Sequence, residues 1–346
     1  MQSAIALPAR KPFSLNDLKQ WAFPHWTLWC AVLTLFAANG VWLDLSTRIS
    51  IEPRWMTGNT ILIVVAFASI VFRIFKPEKF DWFLHRLWSV LLYVLLSALL
   101  MRNLQVLNHL TMSTNLPMAD DRLMEWDVAL GFDWLAYSKW LTASPLITQI
   151  LFFAYNQITF TGLAALAVML IILNDRKRAF EIIYLVVVTA IVCIVVATVF
   201  PAKATMALLG DQELLSRLQI GTGVLHVEQL MALRGNGPIF MMPEDMQGLV
   251  SFPSFHTCMA LIIAWCSRGR WYTATIGTVI GAAIIAGTPI FGGHYLVDIL
   301  GGMAITAAAI WVWHNNIHQH ISVHMANTHA TSFPLPNRVK RLLKSS

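Results

Sequence analysis

Apolar runs long enough to cross a bilayer recur along the chain, separated by short polar segments. A spanning helix needs roughly 17–25 mostly apolar residues. Eight stretches meet or approach that length, with cores at 26–45, 58–75, 85–107, 146–173, 179–200, 252–267, 271–291 and 295–314. The sixth is the shortest, squeezed against Ser267-Arg268-Gly269-Arg270, and a start below the membrane surface would account for its length. Between the third and fourth spans, Trp126, Leu130, Trp134, Leu135 and Trp140 alternate with Asp120, Asp121, Glu125, Asp127 and Asp133. That recurrence predicts a helix lying in the membrane interface over 115–145. The expected fold is an all-α integral membrane protein of about eight transmembrane helices. It divides into a tail at 1–20, two additional N-terminal spans within 21–84, a core at 85–314 and a second tail at 315–346. The core includes an interfacial segment, 111–145, and a long outer loop, 201–251.

Composition agrees: 57% of residues are hydrophobic and only 12% charged, which excludes a soluble globular domain. The first apolar run continues past signal-peptide length without a small-residue cleavage site, so it reads as a retained span. The cysteines at 30, 193, 258 and 266 all lie in apolar runs, where they act as small hydrophobes rather than a disulfide framework. The net charge of +6 is unevenly spread. If the N-terminus is cytoplasmic, Lys76 with Lys79 and Arg86, Arg176-Lys177-Arg178, Arg268 with Arg270, and Arg338 to Lys344 all fall on inner segments, while acidic residues dominate the outer ones. The charge is therefore a topology signal and not a nucleic-acid footprint. Both termini are expected in the cytoplasm, and short loops without an Asn-x-Ser/Thr signal suit a bacterial inner membrane.

Two polar segments interrupt the apolar pattern at the outer face: Ser251-Phe252-Pro253-Ser254-Phe255-His256-Thr257 and Gly292-Gly293-His294-Tyr295-Leu296-Val297-Asp298. Ionisable groups beside apolar stretches are costly to keep unless they work. On a helix, His294 and Asp298 share one face, and the carboxylate can fix the imidazole tautomer, leaving its other nitrogen as a nucleophile or base. The alternative is an ion pair that merely closes a helix. Pro253 suits a first helical turn. Free N–H groups at that helix start, Phe255 among them, together with the Ser254 hydroxyl, would hold an anion beside His256. Alone this is an ordinary helix start; both motifs on one face make chance a poor explanation.

These motifs resemble the second and third signature segments of the phosphatidic acid phosphatase type 2 superfamily. Pro253-Ser254-Phe255-His256 has Phe where the common form has Gly. With His294-Tyr295-Leu296-Val297-Asp298 and the following Ile299-Leu300-Gly301-Gly302, it is more similar to the branch of inositol phosphorylceramide synthases and their bacterial relatives. The stretch Asp120 to Trp140 also looks like a segment of that bacterial branch. The resemblance implies a six-helix catalytic bundle formed by the last six spans, with His294 as nucleophile in a phosphohistidine, Asp298 orienting it, His256 protonating the leaving group and Ser254 contacting phosphate. It implies no cofactor. Two signatures depart from the family: the Ser-Arg pair of the third motif falls at Gly287-Thr288, and the first segment, Lys-x6-Arg-Pro, is not present as such. Lys203, after Phe200-Pro201-Ala202, and Arg234 are the outer-face cations nearest the motifs in sequence and the candidates to supply the positive charge for phosphate. Lys203 reads equally as a residue snorkelling to headgroups.

The glycine-punctuated loop 201–251 is too long to be only a link and is expected to fold over the site. His314, His318, His320, His324 and His329 suggest metal binding by the spacing of the first two, but they fall at the cytoplasmic end, and no metal site is expected. The expected function is removal or transfer of a lipid phosphoryl headgroup at the outer face. The substrate would be a membrane lipid phosphate or pyrophosphate, with an alcohol as possible acceptor and no nucleic-acid partner. A multi-span transporter and a non-catalytic membrane scaffold are the competing classes.

Overall fold

The computed structural model describes residues 15–75, 82–173, 175–210 and 222–317. Lys76, Lys79, residues 211–221 and the tail from His318 onward, with His320, His324 and His329, lie outside the described residues. Among the described residues, seven helices are long and apolar enough to span a membrane. They are α1 (Leu15–Leu45), α2 (Pro53–Phe75), α3 (Trp82–Met112), α6 (Pro145–Ile172), α7 (Arg176–Val199), α11 (Trp271–Phe291) and α12 (Leu296–Val312). The expected sixth span is α10 (Phe255–Cys266), 12 residues long. At 1.5 Å per residue it covers about 18 Å, well short of a bilayer core of roughly 30 Å.

The interfacial segment is two helices rather than one, α4 (Asp120–Ala129) and α5 (Trp134–Thr142). Gly131, at φ 74°, turns the chain between them in a conformation that side chains rarely adopt. Asp133 then caps α5 by accepting a 2.9 Å hydrogen bond from the Ala136 N–H. The loop 201–251 likewise has structure of its own: a short α8 (Thr205–Leu209), α9 (Thr222–Arg234) and a strand, β2 (Ile239–Met241). The strand pairs in parallel with β1 (Ile49–Ile51), Ile49 opposite Ile239 and Ile51 opposite Met241. The connector between the first two spans is thereby joined to the loop 201–251.

α10 forms the centre of the bundle and is buried along Thr257, Cys258, Met259, Ala260, Ile262, Ile263 and Cys266. Small residues let its neighbours approach. A Cβ on Gly281 of α11 would lie 2.7 Å from the Ala260 carbonyl oxygen, and one on Gly302 of α12 would lie 2.5 Å from that of Ser254. The first two spans are held by an amide relay within the apolar region. Asn39 donates to the Asn103 carbonyl at 2.8 Å, and Asn103 donates to Asn59 at 3.4 Å and to the Leu99 carbonyl at 2.8 Å. At the opposite end of α10 from its histidine, the buried Glu181 accepts from Arg268 at 2.6 Å and from the Trp265 indole at 2.9 Å. Outward-facing Ile61, Val64 and Val65 of α2, Val195 and Val199 of α7, and Ile276 and Val279 of α11 are exposed. Such surfaces are compatible with lipid rather than water.

Candidate active site

Asp298 is fully buried three residues into the first turn of α12, and its Oδ2 gathers three donors. The His294 ring lies 2.9 Å away through Nδ1, the Ser251 hydroxyl 2.9 Å and the Tyr295 backbone N–H 3.1 Å. His294 itself precedes the helix, beside Gly293 at φ 66°. The expected helical i, i+4 pair is therefore a helix-start arrangement instead: the carboxylate closes the first turn and holds the imidazole with the same oxygen. With Nδ1 donating to the carboxylate, Nε2 carries the lone pair, and it faces the Ser254 hydroxyl at 3.3 Å.

Ser254 is the N-cap of α10, so that helix starts two residues after Pro253 rather than with Pro253 in its first turn. Its N–H donates to the Asp298 carbonyl at 2.9 Å, pinning the starts of α10 and α12 together. Its hydroxyl accepts from the Thr257 N–H at 3.4 Å. The N–H groups of Phe255 and His256, one residue further into the helix start, precede the first intrahelical bond. His256 is clamped by Tyr155, whose ring stacks on it at 4.1 Å between centroids and whose hydroxyl lies 3.1 Å from Nδ1. Phe160 packs edge-on at 5.8 Å. Tyr155 lies in a π-helical turn, Ala154–Ile158, inside α6. The wider turn shifts the phase of the helix at that point, a feature found often at functional sites.

The acidic residues of α4 build the scaffold around this pair. Asp127 accepts the N–H groups of Leu296 and Val297, at 2.8 and 2.9 Å, and so satisfies the orphan donors at the start of α12. Burial pushes the Asp127 carboxyl upward while those two N–H groups pull it back, and the Asp298 charge adds a further upward push. Asp120 accepts from the Lys203 N–H at 2.9 Å and from the Tyr295 hydroxyl at 3.0 Å. Burial, followed by the nearby Asp120, holds the Tyr295 phenol above its ordinary range. Thr205 N–H donates to the Gly293 carbonyl at 2.7 Å, fixing the turn that presents His294. On α5, Trp134 and Tyr137 donate to the carbonyls of Pro289 and Ala286, at 2.9 and 2.6 Å. They steady the end of α11 around its internal proline.

His256, His294, Phe255 and Ser251 open onto a cavity of about 440 Å³, walled also by Tyr155, Asn156 and Phe160 of α6, by residues of α3 and α7, and by His226 and Gln247 of the loop 201–251. The structure thus brings together His256, His294, Asp298, Ser254 and Phe255. It does not bring Lys203 or Arg234 to the cavity wall. The Lys203 main chain is held by Asp120 and by His226, whose Nε2 lies 2.9 Å from the Lys203 carbonyl. The Arg234 guanidinium donates to the Leu116 carbonyl. Tyr155, Asp120 and Asp127, outside both motifs, take structural parts at the site, and Ser251, the first residue of the first polar segment, does so through its bond to Asp298. Only the acidic pattern of 120–133 hinted at any of the first three. Among the described residues no group of three or more His, Cys, Asp or Glu side chains could hold a metal.

No curated protein and no solved structure matches the chain. A family model described as the PAP2 superfamily matches residues 121–312, from the second residue of α4 to the last of α12. That stretch is more than half of the chain and contains both histidine motifs and the acidic helix that braces them, so the protein belongs to the PAP2 superfamily.

Proposed function

We propose that the protein is a membrane lipid phosphatase or phosphotransferase that works through a phosphohistidine at the outer face of the membrane. The superfamily generally comprises phosphatases and phosphotransferases acting on lipid phosphates. The observation that carries the reading is the fixed His294 ring, with Nδ1 on a buried carboxylate and Nε2 beside the Ser254 hydroxyl, lining the same cavity as His256.

In this mechanism the Nε2 lone pair of His294 attacks phosphorus, the bond from phosphorus to the leaving lipid oxygen breaks, and His256 gives that oxygen a proton. The Tyr155 hydroxyl engages Nδ1 of His256 at 3.1 Å, which leaves Nε2 of the protonated ring to give the leaving oxygen its proton. Asp298 stabilises the positive ring that forms on His294. The Ser254 hydroxyl and the N–H groups of Phe255 and His256 receive phosphate oxygens. In the second half, His256 takes a proton from water or an alcohol, whose oxygen attacks phosphorus as the nitrogen–phosphorus bond breaks. The acceptor decides whether the product is free phosphate or a new phospholipid. The Phe255 variant favours a transferase like those of the inositol phosphorylceramide synthase branch. Basic residues at the far end of α10 and in the first turn of α7 favour an inner location for those ends and support an outward-facing cavity.

Purified protein in detergent with EDTA, offered phosphatidic acid, polyprenyl pyrophosphate and phosphatidylinositol with and without inositol or a long-chain diol, should release phosphate or form a new phospholipid. His294→Ala should lower that turnover by roughly 10³-fold or more. Turnover equal in wild type and variant would refute the phosphohistidine, and an inert wild type on every lipid would point to transport.

A further inference from the structure

We propose that Arg102 of α3 is the cation that holds the substrate phosphate, taking the place of the arginine missing from the third motif. The inference rests on the phosphoryl-transfer reading above. Such a transfer spreads negative charge over the phosphate oxygens, and the protein's contribution is largely positioning and electrostatics. Among the described residues lining the cavity, Arg102 is the one Lys or Arg. It lies inside the apolar span Leu87–Met112, where a guanidinium is costly unless it faces a polar cavity or a partner. Within the described residues no hydrogen bond or ion pair engages its side chain, whereas Arg178 and Arg268, near the other end of the bundle, are both paired with carboxylates.

The same face of α3 carries further polar groups that line the cavity. Gln105 and Asn108 follow Arg102 at intervals of three residues and line the same cavity. Asn108 is only 6% exposed, yet its Oδ1 has no hydrogen-bond partner. Buried polar atoms normally have a hydrogen-bond partner, and this one lies on a residue that lines the cavity. Gln105 is held rigid by donating to the Met246 carbonyl at 2.7 Å. The wall thus pairs an unneutralised fork of donors with an unfilled acceptor, and it fits a phosphate carrying a neighbouring hydroxyl. The planar guanidinium can take two phosphate oxygens at once, which an ammonium cannot.

The test uses the full chain in detergent with inorganic phosphate and phosphatidic acid as probes. Phosphate should protect Arg102 of the wild type from phenylglyoxal, mapped by mass spectrometry, and should do so in His294→Ala as well. Arg102→Gln should weaken competitive inhibition by phosphate at least tenfold and lower kcat/KM on phosphatidic acid by roughly 100-fold, with Arg102→Lys recovering part of both. An Arg102 that reacts equally with and without phosphate overturns the assignment, even if Arg102→Gln fails to fold. So does an Arg102→Gln protein with wild-type inhibition and turnover; His294→Ala remaining inactive in that case would leave the phosphohistidine standing. A wild type that neither binds phosphate nor turns over any lipid would sink both.

Discussion

A methyl group on Gly292 would lie 2.4 Å from the Cδ2 of His294 and 2.4 Å from the Tyr155 hydroxyl, atoms that belong to the two halves of the site. The backbone there, at φ −99°, accepts alanine, so the substitution strains the site and not the chain. Gly292→Ala should reduce kcat roughly 100-fold, the scale of a 1 Å misplacement of a reacting group, while leaving the thermal midpoint in detergent close to wild type. Equal activity would mean that the Tyr155–His256 clamp tolerates displacement. At this scale the motifs were readable in part. His256, His294, Asp298 and Ser254 stand in two compact polar islands, and such islands are conspicuous in an apolar chain. Tyr155 and Arg102 were not readable, because each comes from a different span and looks, in its own window, like an interfacial or snorkelling side chain. Lys203 and Arg234 were favoured for closeness in sequence, but neither lines the cavity, and the Arg234 guanidinium donates to the Leu116 carbonyl.

Among the elements, α10 depends most on its neighbours, since 12 residues cannot bridge the bilayer. Its end opposite the histidine is fastened through Glu181, whose side chain is 1% exposed and pairs with Arg268 at 2.6 Å. Arg268→Gln leaves a buried carboxylate without its cation and should cost about 3 kcal/mol, seen as a lower unfolding midpoint; no shift would show that water already reaches Glu181. The spans themselves were legible because twenty or so apolar residues in a row have few other readings. The break between α4 and α5 at Gly131 was not, since the amphipathic period runs on through it. Nor were β1 and β2, three-residue strands whose pairing joins residues about 190 apart in the chain.

For the whole molecule the orientation is open to a direct check. Gly237, in the exposed turn before β2, and Arg270, in the link between α10 and α11, lie on opposite sides if the charge bias sets topology. In a Cys30→Ser background, Gly237→Cys should react with a membrane-impermeant maleimide in intact cells and Arg270→Cys only after lysis; the reverse pattern would invert the proposed face. The expected division into two added spans and a six-helix core understates how the first spans are joined to the rest, through the Asn39–Asn103–Asn59 relay and the β1–β2 pairing. α3 stands between these parts, ahead of the stretch that matches the family, 121–312, yet it furnishes one whole wall of the cavity. Apart from Arg102, its cavity-facing side chains can therefore be exchanged without altering either histidine or the proposed phosphate-holding cation, which makes this one helix the natural place for a lineage, or a protein engineer, to retune selectivity.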